Sequence, residues 1–178
     1  DAVEVYNYPV SVGLYGGSAA IGVALASNTI SNVVDAHIVA ATIDGAAGGV
    51  TVLADENASI TSSAQAAAMS ASISLGVSLA GGGAGTVSNV LTTTRAYVAN
   101  STLYLGAGDL AITAESDATV NSGVAATSAS FGLIGIAASG SNVTANLSPV
   151  VDAYIDNSKV TADDITVNTP SGTISRAN

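Results

Sequence analysis

The chain has 178 residues, 48 % of them hydrophobic, no cysteine, no tryptophan, and a net charge of −10 although only 9 % of residues are charged. Absence of cysteine excludes disulfides and thiolate metal centres and leaves the redox compartment open. Three basic residues, Arg95, Lys159 and Arg176, make no phosphate-binding stripe, so neither nucleic acid nor an anionic membrane surface is an expected partner.

In chain order, the first stretch is DAVEVYNYPV. It has no basic n-region or apolar h-region, so either a signal has been removed or the chain is a piece of a longer one. Residues 1–11 stand outside the repeat described below. They read as a cap over the first coil or as a strand donated to a neighbour, with Val3, Val5, Tyr6 and Tyr8 as the assembly residues.

Residues 12–178 read as a single repeat-built domain. DAHIVAATI begins at 35, RAYVANSTL at 95 and DAYIDNSKV at 152, spacings of 60 and 57 residues. The repeat extends further. GGVTVLADENASITS (48–62) matches GDLAITAESDATVNS (108–122), DDITVNTPSGTIS (163–175) is a shorter copy, and VGLYG (12–16) resembles FGLIG (131–135). Within each copy apolar residues alternate with polar ones: Val50, Val52 and Ala54 share a face, as do Leu110, Ile112 and Ala114, and Ile165 and Val167. Ile73, Leu75, Val77 and Leu79 form a longer row. Period two is strand periodicity, and β-branched residues between turn clusters support short strands. The run SSAQAAAMSAS (62–72) is rich in the best helix former, but its copy SGVAATSASFG (122–132) contains Gly, Val and Thr, which favours strand.

These patterns predict an all-β fold, a parallel β-solenoid. Its sequence repeat is about 57–60 residues, and each unit divides into blocks of about 20 that would form one coil apiece, eight or nine in all. Small inward residues suit a narrow interior with one Phe and one Met. An antiparallel β-sandwich is the structural alternative. GGGAG (81–85) lacks the Lys-Ser/Thr of a phosphate loop and predicts close backbone approach within a sheet.

Charge follows the same period. Residues 5–34, 57–94 and 118–151 carry none. Segments this long without charge predict shielding, by the rest of the fold or by another subunit.

Chemistry is sparse. His37 is the only histidine and holds the slot that Tyr97 and Tyr154 fill in the other copies, which points to packing. Without a second His or a Cys, neither a Ser-His-Asp triad nor a zinc site assembles. Asp55-Glu56 and Asp163-Asp164 are sequence neighbours, so on strands they face opposite ways, unlike paired glycosidase carboxylates. Asp109, Glu115 and Asp117 would have to converge across turns. No cofactor is expected. Calcium is the one ion the loops at 44–49, 106–109 and 161–164 would suit, through Asp and carbonyl oxygens, although none matches a calcium-loop motif. Thr92-Thr93-Thr94 has no hydroxyl counterpart in the other copies, so no ice-binding ladder repeats. Asn57, Asn100, Asn142 and Asn146 stand in glycosylation sequons.

The element x-Ala-Tyr-Ile/Val-x-x-Ser-x-Val/Leu, at Arg95 to Leu103 and Asp152 to Val160, is followed by x-Val-x-Val-x-Ala and long Ala/Ser/Gly alternation. It resembles giant repetitive bacterial surface exoproteins and adhesins of the filamentous-haemagglutinin type. The resemblance implies a secreted β-helical stalk or filament at the cell surface. It would be non-enzymatic and not membrane-inserted, partnered by further copies of itself and by a host or neighbouring-cell surface. The function expected is structural, with assembly through uncharged faces or strand edges. The alternative is a β-helix that binds or cleaves carbohydrate.

Overall fold

The computed structural model describes residues 2–13, 16–45, 48–73 and 76–177. Every regular element among them is a strand, and every strand pair is parallel. The parallel β-solenoid is therefore the fold, and the antiparallel sandwich is not.

Four stacked sheets make the walls. The long sheet contains β1 (Ala2–Asn7), β2 (Val10–Gly13), β6 (Val50–Ser72), β10 (Leu110–Phe131), β14 (Ile165–Asn168) and β15 (Ser171–Ala177). The return sheet stacks β3 (Ser18–Ile30), β7 (Val77–Val90) and β11 (Ile134–Leu147). A short sheet stacks β4 (Val33–Val39), β8 (Thr93–Ala99) and β12 (Val150–Asp156). A corner sheet stacks β5 (Thr42–Asp44), β9 (Thr102–Tyr104) and β13 (Lys159–Thr161). Each coil runs out along the long sheet and comes back through the other three.

The coil is longer than the 20-residue blocks suggest. Val50 pairs with Leu110, Asp35 with Arg95 and Arg95 with Asp152, so one whole sequence repeat makes one coil. The return, short and corner sheets are three strands deep rather than eight or nine. The reason is local. β6 runs 23 residues and β10 runs 22 without a break, because the period-two alternation continues through the Asn and Gly positions, Asn57 pairing with Asp117 and Gly123 with Ser63 in the ladder. The Ala-rich run 62–72 lies wholly inside β6, as strand.

Stacking a repeat on itself places like on like, and the core follows. At one end the long sheet faces the short and corner sheets across Val52, Val98, Leu103, Leu105, Leu110 and Ile112. Each such side chain, fully buried, contributes about 1.5–3 kcal/mol. In the middle Ile60, Val90 and Val120 pack with Ala58 and Ala118. At the far end the long and return sheets meet through Ala24, Ala26, Ala64, Ala66 and Ala84, then Ala20, Ala68 and Ala80. There the two backbones come close. A Cβ added to Gly82 would lie 2.5 Å from the Thr127 carbonyl oxygen, so only glycine fits. Serines line the same narrow interior. Ser62 Oγ lies 2.8 Å from Ser122 Oγ and 3.1 Å from Ser88 Oγ, and Ser18–Ser70 and Ser78–Ser130 hydroxyls are 2.7 and 2.6 Å apart.

Residues 2–7 and 10–13 pair in register with Thr61 to Ala66 and Met69 to Ser72 of the same chain. Val3 and Val5 pack inward against the alanine cluster.

Candidate functional site

The repeated nine-residue element is the short strand, a turn and the corner strand. Its turn residue is Ala40, Asn100 or Asn157, each with positive φ (52°, 50° and 41°). Among non-glycine residues Asn tolerates this region best. Two of the three copies use Asn, and the Asn157 Nδ2–H donates to Asn100 Oδ1 at 2.6 Å. The following serine ties the turn together. Ser101 Oγ donates to the Ala99 carbonyl at 2.8 Å and Ser158 Oγ to that of Asp156 at 2.7 Å. Each hydroxyl also accepts from the neighbouring coil, Ser158 Oγ from the Ser101 N–H and Ser101 Oγ from the Ala41 N–H. The result is a polar corner groove of about 470 Å³ lined by Asn100, Ser101, Thr102, Asn157, Ser158 and Lys159.

Outside the short sheet, the same register builds columns. His37 stacks on Tyr97 (ring centroids 5.2 Å apart) and Tyr97 on Tyr154 (4.9 Å, planes within 4°). His37 thus sits in an aromatic column, the packing role its sequence slot suggests. Beside it Arg95 lies in register between Asp35 and Asp152. Lys159 Nζ sits 5.2 Å from the Tyr104 ring centroid. A hydrogen bond to the Tyr104 side chain holds the Lys159 pKa above its ordinary value.

Among the described residues the carboxylates do not converge into a centre. Asp55 is exposed while Glu56 is buried, as alternation requires. Glu56 Oε2 accepts from Ser116 Oγ at 2.9 Å, and its Oε1 has no partner. The buried hydroxyls of Thr86, Thr92 and Thr94 and Nδ2 of Asn28 are also unpartnered, each costing about 1–3 kcal/mol if dry. Among the described residues no three His, Cys, Asp or Glu side chains gather where a metal ion could sit. Of the calcium loops, Asp109 Oδ1 accepts from the Asp164 N–H at 3.2 Å, and residues 46–47 lie outside the described residues.

The four N-terminal residues divide. Val3 and Val5 are used inside the coil. Tyr6 and Tyr8 are exposed, stacked at 6.1 Å, with Tyr6 Oη donating to Glu4 and Tyr8 Oη to Gln65. The bond to Glu4 and its negative charge raise the Tyr6 pKa.

Two further surfaces stand open. One is the outer face of the return sheet, where Ile21, Val23 and Leu25 stand exposed beside Gly81, Gly83 and Gly85. The signal was present: aligning the copies sets three aliphatics against three glycines. The other is the pair of strand edges, β3, β4 and β5 at one end of the stack and β11, β12 and β13 at the other. Compared with protein-family models, curated proteins and solved structures, the chain matches none.

Proposed function

We propose that the chain is a non-enzymatic structural segment of an extracellular bacterial surface filament or adhesin, working by stacking coil on coil. The observation that carries this reading is the unbroken parallel ladder with its peptide edges free at both ends of three sheets. A parallel edge is a row of unpaired N–H and C=O groups that templates another strand. A further coil of the same chain or another copy satisfies it equally, and like-on-like columns such as Tyr97–Tyr154 and Asn100–Asn157 extend naturally across that joint.

The cell-surface setting and the host or neighbouring-cell partner rest on the resemblance carried by RAYVANSTL and DAYIDNSKV. Electron microscopy and fibre diffraction test the structural reading. Fibres with a strand spacing of about 4.8 Å along the axis are the expected result; dispersed particles at every concentration overturn it.

A second reading, carbohydrate binding, is favoured by the polar corner groove at Asn100 and Asn157, whose amides and hydroxyls match sugar hydroxyls. A glycan panel separates the two: saturable binding abolished by Asn157→Ala selects the second.

A further inference from the structure

We propose that the outer face of the return sheet pairs with the same face of a second copy of this chain, with Ile21 and Val23 of each copy seated over Gly81 and Gly83 of the other. The inference deepens the structural reading by adding a lateral contact to the axial one.

The face is apolar and exposed. Ile21, Val23 and Leu25 are 69 %, 51 % and 71 % exposed, and Val77, Leu79, Val87, Ile134 and Ile136 are exposed around them. No charged residue occurs anywhere in β3, β7 or β11, so pairing strips water from no ion. The first coil presents a ridge and the second a trough. The two are in strict register: Ile21 beside Gly81, Val23 beside Gly83, Leu25 beside Gly85. The trough opens into a groove of about 540 Å³ that reaches Gly140 and Asn142 of the third coil.

Such a surface is its own complement. A two-fold axis lying along the strands, between the first and second coils, brings each ridge over the other copy's trough and keeps the strand register. That is the isologous contact expected of a symmetric dimer. The overlap is modest: about that axis only the first and second coils of each copy face each other, so strands of 13 and 14 residues cover about 46 by 10 Å and two copies bury about 900 Å² together, the size of a weak, reversible interface. A lipid surface fits less well, because Ser27, Thr29, Asn89 and Asn142 share this face and would lose their hydrogen bonds in hydrocarbon. Across a protein interface the same groups find partners.

The native chain has no cysteine, so a clean test exists. Chains carrying Val23→Cys and Gly83→Cys are made separately, mixed, and treated with a bis-maleimide that spans a sheet-to-sheet gap of about 10 Å. A Cβ on Gly83 meets nothing nearer than Val23 Cγ2 at 3.9 Å, so both variants keep the fold. The mixture is expected to give at least tenfold more cross-linked dimer than a control pair carrying Thr61→Cys on the long sheet, and Val23→Lys is expected to shift the sedimenting species to monomer. No preference over the control, a dimer unchanged by Val23→Lys, or flotation of the wild-type chain with phosphatidylcholine vesicles overturns the proposal. Microscopy keeps the two readings apart. Val23→Lys fibres of half the width uphold both, fibres of unchanged width overturn lateral pairing alone, and cross-linked dimers without fibres uphold pairing while overturning the axial reading.

Discussion

The two ends of one coil solve the same packing problem differently. At the aliphatic end, Leu103, Leu105, Leu110 and Ile112 hold the facing sheets apart. At the alanine end, Ala64, Ala66 and Ala84 let them close up until Gly82 lies against the Thr127 carbonyl. The outsides differ too. Asp35, Arg95, Asp152, Asp156 and Lys159 all lie on the short and corner sheets, whereas the return sheet carries no charge. At the alanine end the rule that large apolar residues go inside is reversed: Ala20, Ala24 and Ala26 are buried while Ile21, Val23 and Leu25 point out. Spacing between sheets, more than hydrophobicity, decides which face of an alternating strand is inside.

Substitutions break or sharpen that contrast. The largest effect is expected from Ile112→Ala at the aliphatic end, a loss of about 2–5 kcal/mol by denaturant unfolding, because the wide interior cannot collapse onto the cavity. Ala64→Leu at the alanine end is expected to cost about 1–3 kcal/mol by overpacking. If it stabilises instead, the interior there has spare room and the contrast fails. At the Asn turn, Asn157→Val should cost about 2 kcal/mol, through a β-branched residue at positive φ, while Asn157→Gly, which loses only the side-chain bond, should cost about 1 kcal/mol or less.

The smallest effect concerns Tyr6. Its raised pKa means the folded chain holds the phenolic proton more tightly. That contribution is present below the unfolded tyrosine pKa and is lost as pH rises through the higher folded value. Glu4→Gln is expected to bring the Tyr6 transition back toward the ordinary tyrosine range in an ultraviolet pH titration, with at most a slight loss of stability at neutral pH from the weakened hydrogen bond.

The repeat was legible because parallel stacking sets equivalent residues side by side. Asp35, Arg95 and Asp152 align in the sequence for the reason that they align in the sheet. Strand length was not legible. Nothing between Val50 and Ser72 marks or forbids a bend, and the 20-residue frame imposed bends that the ladder does not contain. The outward ridge escaped notice because Ile21, Val23 and Leu25 have the alternation of core residues, and only the facing backbone reveals which side is narrow. The buried Glu56 and its bond to Ser116 were likewise hidden, since a carboxylate beside Asp55 gives no sign of which of the two turns inward.

The long strands have a mechanical consequence. β6, at 23 residues, spans about 75 Å, yet each circuit raises the column by only about 4.8 Å. With 57 to 60 residues per circuit, the chain spends about 12 residues on every ångström of height. This is a poor way to achieve reach and a good way to achieve breadth. The cross-section is a strap, roughly 75 Å by 20 Å, and the stiffness of such a bar against bending in its broad plane exceeds that in its thin one by roughly tenfold. Whatever pulls on it will find it rigid edgewise and pliant flatwise.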